Sequence, residues 1–569
     1  MQRAVVRELR ELGWLAVIAA VAGGAMILFS ALPLVVLLLG SFWTDAGVSL
    51  EPLVRALSNP ETWEATFVTL GVAFGTAAVT VLLGVPAAWL LARTDLPGKG
   101  VLKTALSMPY AIPPYIMAIG WITLLNPRNG ALNSLMGLSG DAAIDIHATW
   151  GIIMCLGLSY FPLVMLQTHS ALMGMDPSLE EAARTSGASP MRVVFTITLP
   201  LSVPAIASGA LLTFLIGMAS FGVPYLVGNP GRVKVLTTAI YAAIDVGTDE
   251  HVAEAVALAV VLGVVAALAL VANRWLVKRG RALTGGKAGR PSLVALGRFR
   301  VVAAGALWGL VGFALLLPLS VLVVTSFLGT YGKGLVAENL GLSNYASVLG
   351  DTRTLGAIWN SLWLAAVAAT ICVLIGVVAS YFRSRTTIPG RAFLPWFAEL
   401  PYAIPGTVLA MGFILAFSQE IWFGLTDVFY IRVLLFNTAW ILLAAYCVKY
   451  LAYGVRASDA ALTQIDKSLE EAARTSGASP LRVVVGVVLP IMRPALVAAW
   501  VLVFLPVLGE ITMSILLFGP ETKTLGVLLF DFQSYESPPK AAVLATLLAL
   551  TVLGGNLLVK RLSGGKLGI

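Results

Sequence analysis

Long runs of apolar residues, separated by short polar segments, extend along this chain from end to end. Runs such as 14–42, 67–92, 252–277, 301–327 and 541–559 hold few or no charged residues. Each is long enough to cross a hydrocarbon layer of roughly 30 Å as an α-helix. The pattern predicts about twelve transmembrane helices, at approximately 14–41, 64–92, 101–126, 148–172, 198–227, 252–278, 301–328, 356–382, 392–418, 433–456, 488–518 and 539–560.

The composition agrees with this pattern. The 569 residues are 58% hydrophobic and 12% charged, and the mean hydropathy is +0.90. A water-soluble core cannot hide that much apolar surface, so the composition indicates an all-α membrane protein.

The charged residues predict an orientation. If both termini are cytoplasmic, the inward-facing segments hold roughly 26 of the 37 Lys and Arg residues, as the positive-inside rule expects. The net charge of +8 therefore reflects membrane topology rather than nucleic-acid binding. Eight basic residues and no acidic ones lie between 274 and 300, which suits a linker near anionic membrane lipid. We predict an N-terminal half at 1–278, a basic cytoplasmic linker at 279–300 and a C-terminal half at 301–569.

The chain contains an internal repeat. Residues 178–190 read SLEEAARTSGASP, and the same 13 letters recur at 468–480. A second block pairs residues 109–113 with 401–405, both PYAIP. With about six spans in each half, the two copies enter the membrane in the same sense, so a pseudo-two-fold axis along the membrane normal can relate them. The pore is expected between the halves.

The repeated block carries helix-end signals. Ser178 followed by Glu181 fits a capping box that starts a short helix. Gly187 can end that helix in a left-handed conformation, and Ser189 with Pro190 can start the next. The second copy repeats these signals at Ser468, Glu471, Gly477, Ser479 and Pro480. Caps tolerate several residue types, so the strict identity of the whole block favours a docking surface over helix capping alone.

The block also resembles the EAA loop of binding-protein-dependent ABC importer permeases. Glu181-Ala182-Ala183 is followed by Gly187, Ile197 and Leu199-Pro200, and the second copy differs only in having Val487 at the isoleucine position. This resemblance implies the type I importer permease fold, with two pseudo-symmetric six-helix halves. It assigns the ATPase-coupling loops to Glu180, Glu181, Ala182, Ala183, Gly187, Glu470, Glu471, Ala472, Ala473 and Gly477.

The resemblance also implies the partners. In that family the loop forms a helix that sits in a cleft of a cytoplasmic ATPase, and two near-identical loops imply two copies of one ATPase. The chain has no G-x-x-x-x-G-K-[ST] motif, so it is not expected to be an enzyme or to hold a cofactor itself. ATP and magnesium are expected on the partner ATPase. A periplasmic binding protein would deliver the solute to this multi-pass protein of the bacterial inner membrane.

Several residues are candidates for the translocation pathway. Glu510 is an ionisable residue at predicted membrane depth, where a charge is costly and therefore often functional. Ser220 occupies the equivalent place in the first half. The prolines of the PYAIP blocks are expected to bend their helices. The full candidate set is Glu510, Ser220, Tyr110, Tyr402, Pro113 and Pro405.

The sequence alone does not identify the transported solute. Fused permeases of this size resemble ferric-iron importers, and residues 509–520 look most like that group. Thiamine, aminoethylphosphonate and polyamine importers are the alternatives within the family. No metal ligands are assigned, because His147, His169 and His251 are scattered. A twelve-helix secondary transporter is the rival class, but it does not require the repeated block.

Overall fold

The computed structural model describes residues 14–44, 47–281, 293–333, 336–388, 391, 393–418, 421–426, 429–433 and 435–562. In these residues helices form nearly all of the regular structure, which confirms the all-α membrane fold. Two short antiparallel hairpins accompany them, Trp43–Thr44 with Gly47–Val48 and Ile421–Thr426 with Phe429–Val433.

The N-terminal half is built from helices of very different length. In chain order the α-helices are Trp14–Met26, Leu32–Gly40, Glu51–Ser58, Pro60–Arg93, Lys99–Ala111, Pro114–Leu125, Ala131–Leu135, Thr149–Met173, Pro177–Thr185, Pro190–Val193, Leu199–Ala219, Leu236–Val246 and Asp249–Arg281. Single π-turns at Ile27–Ala31, Val194–Thr198 and Pro224–Gly228 and 3₁₀ turns at Gly140–Ala142 and Asn229–Gly231 join them.

The C-terminal half repeats this order. Its α-helices are Phe299–Val311, Leu317–Ser326, Ser343–Gly350, Thr352–Arg385, Phe393–Glu399, Gly406–Phe417, Ala439–Leu462, Lys467–Thr475, Pro480–Val483, Leu489–Leu508, Ser514–Leu517, Leu525–Asp531 and Pro538–Leu562. π-Turns lie at Gly312–Leu316, Val484–Val488 and Phe532–Glu536, and 3₁₀ turns at Ala337–Asn339 and Pro401–Ala403. The predicted linker at 279–300 lies partly outside the described residues, and the domain boundaries stay a prediction.

Most of the predicted spans are single helices. Among the described residues nine helices are long and apolar enough to cross a membrane, or ten if one bent pair is counted as a span. The helix Ala439–Leu462, at the predicted span 433–456, is 24 residues long but carries Lys449, Arg456 and Asp459. The predicted spans 198–227 and 488–518 were too long, because their helices end at Ala219 and Leu508.

The two PYAIP blocks break their helices. Lys99–Ala111 and Pro114–Leu125 meet at an angle of 90°, so the predicted span 101–126 is not one continuous helix. The predicted span 392–418 is likewise divided into Phe393–Glu399 and Gly406–Phe417. Proline lacks the N–H that would continue the helical ladder, and its ring disfavours helical backbone in the residue before it.

Corresponding helices pack in corresponding ways in the two halves. Pro60–Arg93 and Thr352–Arg385, which we call the arm helices, are both 34 residues long. The first packs along Thr149–Met173 and the second along Ala439–Leu462, and both pairs are among the most extensive helix contacts in the protein. The core lies where the halves meet, and every residue from Tyr115 to Leu125 is buried there.

The halves are also interlocked. The carbonyl oxygen of Pro33 lies 2.6 Å from where a Cβ on Gly412 would be, and the carbonyl oxygen of Pro318 lies 2.5 Å from the same point on Gly120. Each half therefore packs a helix of its first predicted span against the broken helix pair of the other half. Only glycine permits this approach, because any side chain would overlap the proline backbone.

Candidate functional site

The two copies of the repeated block form short helices of nine residues, Pro177–Thr185 and Lys467–Thr475, which we call the repeat helices. Their N-caps are Asp176 and Asp466, whose carboxylates accept hydrogen bonds from the backbone N–H groups of Ser178 and Ser468, both at 2.9 Å. The predicted capping box of Ser178 with Glu181, and of Ser468 with Glu471, is therefore wrong. An aspartate two residues earlier already satisfies the first turn.

The ends of the repeat helices agree with the sequence prediction. Gly187 and Gly477 both have φ of 84° and so end the helices in the left-handed region. Ser189 and Ser479 then cap the next helices by accepting hydrogen bonds from the N–H groups of Arg192 and Arg482, each at 3.4 Å.

One face of each repeat helix is exposed. Leu179 is 47% exposed and Leu469 is 48% exposed. Glu181, Ala182 and their counterparts Glu471 and Ala472 are exposed on the same helices, and Ala183 and Ala473 are half-buried. Eight of the ten residues predicted to couple to an ATPase therefore have accessible surface. Their role in coupling stays a prediction.

The remaining two residues of that set are buried. Glu180 accepts a hydrogen bond from Arg93 Nε at 3.0 Å and one from the Thr198 hydroxyl at 2.8 Å. In the second half Glu470 accepts from Arg385 Nε at 2.6 Å. Sequence reasoning did not identify either arginine. A signal was present, because the segments 93–98 and 385–390 share the pattern Arg-Thr-x-x-Pro-Gly.

A central cavity of about 630 Å³ lies between the two halves. Both halves line it, as the predicted pore requires. Of the predicted pathway residues, Tyr110, Pro113, Ser220, Tyr402 and Glu510 are in its wall, whereas Pro405 is not. The polar side chains that line it are those of Tyr110, Tyr115, Tyr160, Ser220, Asn273, Glu399, Tyr402, Lys449, Tyr450, Tyr453, Arg456, Glu510, Thr512 and Asn556.

Glu510 lies in a break between helices rather than inside a span. The preceding helix ends at Leu508, and the carboxylate of Glu510 caps the next helix. Its oxygens accept hydrogen bonds from the N–H groups of Met513 at 2.8 Å and Ser514 at 2.9 Å, and from the Ser514 hydroxyl at 2.6 Å. The side chain borders the cavity, but both of its oxygens are already bonded to the protein.

Lys449 supports the broken helix of the second half. Its ammonium donates hydrogen bonds to the carbonyl oxygens of Tyr402 at 3.3 Å and Ile404 at 2.5 Å. The helix is interrupted between Ala403 and Gly406, so the carbonyls of Tyr402 and Ile404 lie at the break, where the lysine satisfies them. The sequence analysis did not include Lys449 among the candidate site residues.

The cavity is chemically asymmetric. Glu399, Lys449, Arg456 and Glu510 all belong to the second half, and the Arg456 guanidinium lies 5.0 Å from the centre of the Tyr402 ring. Tyr402 and Tyr453 bring their hydroxyl oxygens to 3.5 Å. Within the part of the chain that the structure describes, no group of three or more His, Cys, Asp or Glu side chains could hold a metal ion.

An aromatic cluster adjoins the cavity at Phe221. Phe221, Tyr225 and Tyr241 of the first half pack with Phe530 of the second, and the Tyr225 and Phe530 ring centres are 4.6 Å apart. The cluster joins the two halves beside the cavity by ring contacts.

Comparisons with known proteins agree with this architecture. The sequence pattern of the family described as "Binding-protein-dependent transport system inner membrane component" matches twice, at residues 81–282 and 373–564. Each match contains one repeat helix and one set of the helices that line the cavity. Each structural half therefore corresponds to one copy of the family pattern.

Three relatives are similar in sequence. The ferric transport system permease protein FbpB of Actinobacillus pleuropneumoniae is 26% identical over 507 residues, which cover 87% of this chain and 70% of the relative. The probable ABC transporter permease protein y4fN of Sinorhizobium fredii is 26% identical over 567 residues, covering 97% of both chains. The molybdenum transport system permease protein ModB of Escherichia coli is 32% identical over 233 residues, covering 40% of this chain and 99% of the relative.

The family pattern occupies most of the chain, the relatives extend over both halves, and the structure has two like halves around one cavity. The chain therefore belongs to the family of binding-protein-dependent inner-membrane transport permeases, with two copies of the family unit fused in one polypeptide.

Proposed function

We propose that this chain provides the whole membrane pathway of an ATP-driven importer, and that its cargo is ferric iron delivered by a periplasmic binding protein. The observation that carries the proposal is the central cavity between the two halves, with one repeat helix in each half. A cavity at the interface of two like halves is what alternating access requires, because rocking of the halves opens it to one side at a time.

The repeat helices are the proposed docking points for the ATPase, on the cytoplasmic side. Both begin at an aspartate cap, and both are followed by a glycine with φ of 84°. The exposed fractions of Leu179 and Leu469 differ by one percentage point. Two surfaces so alike suit two copies of one ATPase. ATP and magnesium bind to that partner in this proposal, and both termini of this chain lie in the cytoplasm.

Ferric iron is proposed because a ferric permease is similar to this chain over 87% of its length. The cavity wall offers phenol and carboxyl oxygens, which suit hard cations. A second candidate is an oxyanion such as molybdate, because Lys449 and Arg456 line the cavity and a molybdenum permease is similar to part of the chain. Thiamine, aminoethylphosphonate and polyamines stay open as further candidates.

Transport assays test the proposal. The chain is reconstituted in proteoliposomes with its partner ATPase and binding protein, and uptake of radiolabelled Fe(III) and molybdate is compared with and without ATP. ATP-dependent Fe(III) uptake is expected. Molybdate uptake alone would overturn the assignment of iron, and equal uptake in ATP-depleted, energised vesicles would overturn the importer mechanism. An ATPase variant without its Walker A lysine is the matched control.

A further inference from the structure

Two buried ion pairs join the repeat helices to the arm helices. Arg93 is the last residue of the first arm helix, and its side chain and that of Glu180 are each 2% exposed. Arg385 is the last residue of the second arm helix, and its side chain and that of Glu470 are 7% and 4% exposed. The same pair therefore occurs at the same place in two halves whose sequences have otherwise diverged.

Further contacts surround each pair. In the first half the Thr198 hydroxyl donates to Glu180 at 2.8 Å, and the carbonyl oxygen of Arg93 accepts a hydrogen bond at 2.8 Å from the N–H of Val294 in the predicted linker. Arg385 donates to the carbonyl oxygens of Leu462 at 3.3 Å and Ile465 at 2.9 Å, at the end of the adjoining helix. Both pairs are buried and therefore unavailable to a docking protein. In the first pair, Nη1 and Nη2 of Arg93 and Oε2 of Glu180 have no hydrogen-bond partner among the described residues.

The arm helices lead from these pairs to the cavity wall. Thr80 of the first arm helix and Thr213 of the helix Leu199–Ala219 share a buried hydrogen bond of 2.9 Å between their hydroxyl groups. The same helix lines the cavity with Leu212 and Leu215. The first arm helix thus connects the Arg93–Glu180 pair at its end with the Thr80–Thr213 contact against a helix of the cavity wall.

We propose that Arg93 with Glu180, and Arg385 with Glu470, are positioning residues that transmit the movement of the docked ATPase to the cavity. This inference rests on the proposed docking of the ATPase at the repeat helices. A buried ion pair can couple a repeat helix to its arm helix, because separating the two charges in a site without water is costly. The two helices are therefore expected to move together. The exposed faces of the repeat helices bind the ATPase, and the buried ion pairs transmit its movement to the arm helices.

The experiment uses a quadruple variant that removes both pairs without leaving a buried charge, Arg93→Met, Glu180→Gln, Arg385→Met and Glu470→Gln. Well-packed hydrophobic residues of similar volume often replace a buried ion pair with little loss of stability. Glutamine here keeps the volume of glutamate without its charge. The complex with ATPase and binding protein is reconstituted, and Fe(III) transported per ATP hydrolysed is measured. ATPase co-purification is expected, with some loss of thermal stability because the carbonyls of Leu462 and Ile465 lose their donor. Transport per ATP is expected to fall about tenfold, the scale of coupling between distant sites.

The possible outcomes distinguish failure of this inference from failure of the proposed function. Unchanged transport per ATP in the folded variant would overturn the inference. Loss of the ATPase from the variant alone would also overturn it, because the pairs would then shape the docking surface instead of transmitting movement. If the wild-type chain retains no ATPase, the proposed function itself fails. Glu51→Gln is the matched control, because Glu51 pairs with Arg55 on the exposed surface and is 68% exposed.

If the quadruple variant folds poorly, the variant Arg93→Lys with Arg385→Lys provides the second test. Lysine keeps the positive charge beside each glutamate but lacks the planar guanidinium that fixes the orientation of the pair. Transport per ATP is expected to fall with ATPase binding retained, and wild-type transport per ATP would overturn the inference.

Discussion

Glu510 and Ser514 are joined by two hydrogen bonds in which the carboxylate accepts from the Ser514 N–H at 2.9 Å and from its hydroxyl at 2.6 Å. The carboxylate thereby caps the helix Ser514–Leu517 at the wall of the central cavity. An acidic residue that the sequence predicts to contact cargo thus has a structural role in the cavity wall, and cargo contact stays a prediction. The two roles lead to different predictions.

Glu510→Ala is expected to destabilise the protein by about 2 kcal/mol, because buried hydrogen bonds to a charged group are lost and their donors are left unpaired. Glu510→Gln keeps one acceptor and is expected to cost less. Thermal unfolding of the purified protein measures both. If Glu510→Gln abolishes uptake while its stability equals that of the wild type, the carboxylate contacts cargo and its role is more than a helix cap.

Lys449→Met removes the donor that satisfies the carbonyls of Tyr402 and Ile404 at the broken helix. A cost of about 1–3 kcal/mol is expected, because buried carbonyls are left without a partner. The matched control is Lys234→Met, since Lys234 is 65% exposed in a surface pair with Glu61. Equal thermal unfolding of the two variants would contradict the supporting role of Lys449.

Gly187→Arg together with Gly477→Arg is expected to abolish ATPase binding and transport while the chain still inserts in the membrane. The substitution places a long charged side chain at the docking surface and strains a backbone with φ of 84°. Asparagine tolerates this backbone, so Gly187→Asn with Gly477→Asn separates strain from bulk. Co-purification is the measurement, and retention of the ATPase by the arginine variant would contradict docking here.

The caps of the repeat helices are expected to depend on pH. The backbone N–H of Ser178 lowers the pKa of Asp176, and that of Ser468 lowers the pKa of Asp466. A lowered folded pKa means that the stabilisation is present above the pKa of the unfolded chain and is lost as pH falls through the folded pKa. The protection of the repeat-helix amides against hydrogen exchange, corrected for the intrinsic pH dependence of the exchange rate, should therefore fall on strong acidification.

Asparagine provides the control for this pH dependence. Asp176→Asn with Asp466→Asn keeps a good N-cap but removes the ionisable group. In this variant the protection of the repeat-helix amides against hydrogen exchange is expected not to fall on acidification. If wild type and variant respond alike to acid, other carboxylates control the repeat helices.

The sequence by itself determined the features that depend on local chemistry. The apolar runs predicted the membrane helices, the PYAIP blocks predicted the broken ones, and Gly187 with Ser189 marked helix ends that the structure confirms. Each rests on a backbone property that nearby residues dictate, such as the missing N–H of proline or the freedom of glycine. The exact repeat likewise predicted two like halves.

Only the tertiary structure decided which residues meet across the chain. Adjacent residues of a helix point about 100° apart, so packing alone determined that Glu180 faces Arg93 while Glu181 faces outward. The contacts of Pro33 with Gly412 and of Pro318 with Gly120 join residues far apart in sequence. No local pattern fixes such partners, because burial and shape select them only once both halves are assembled.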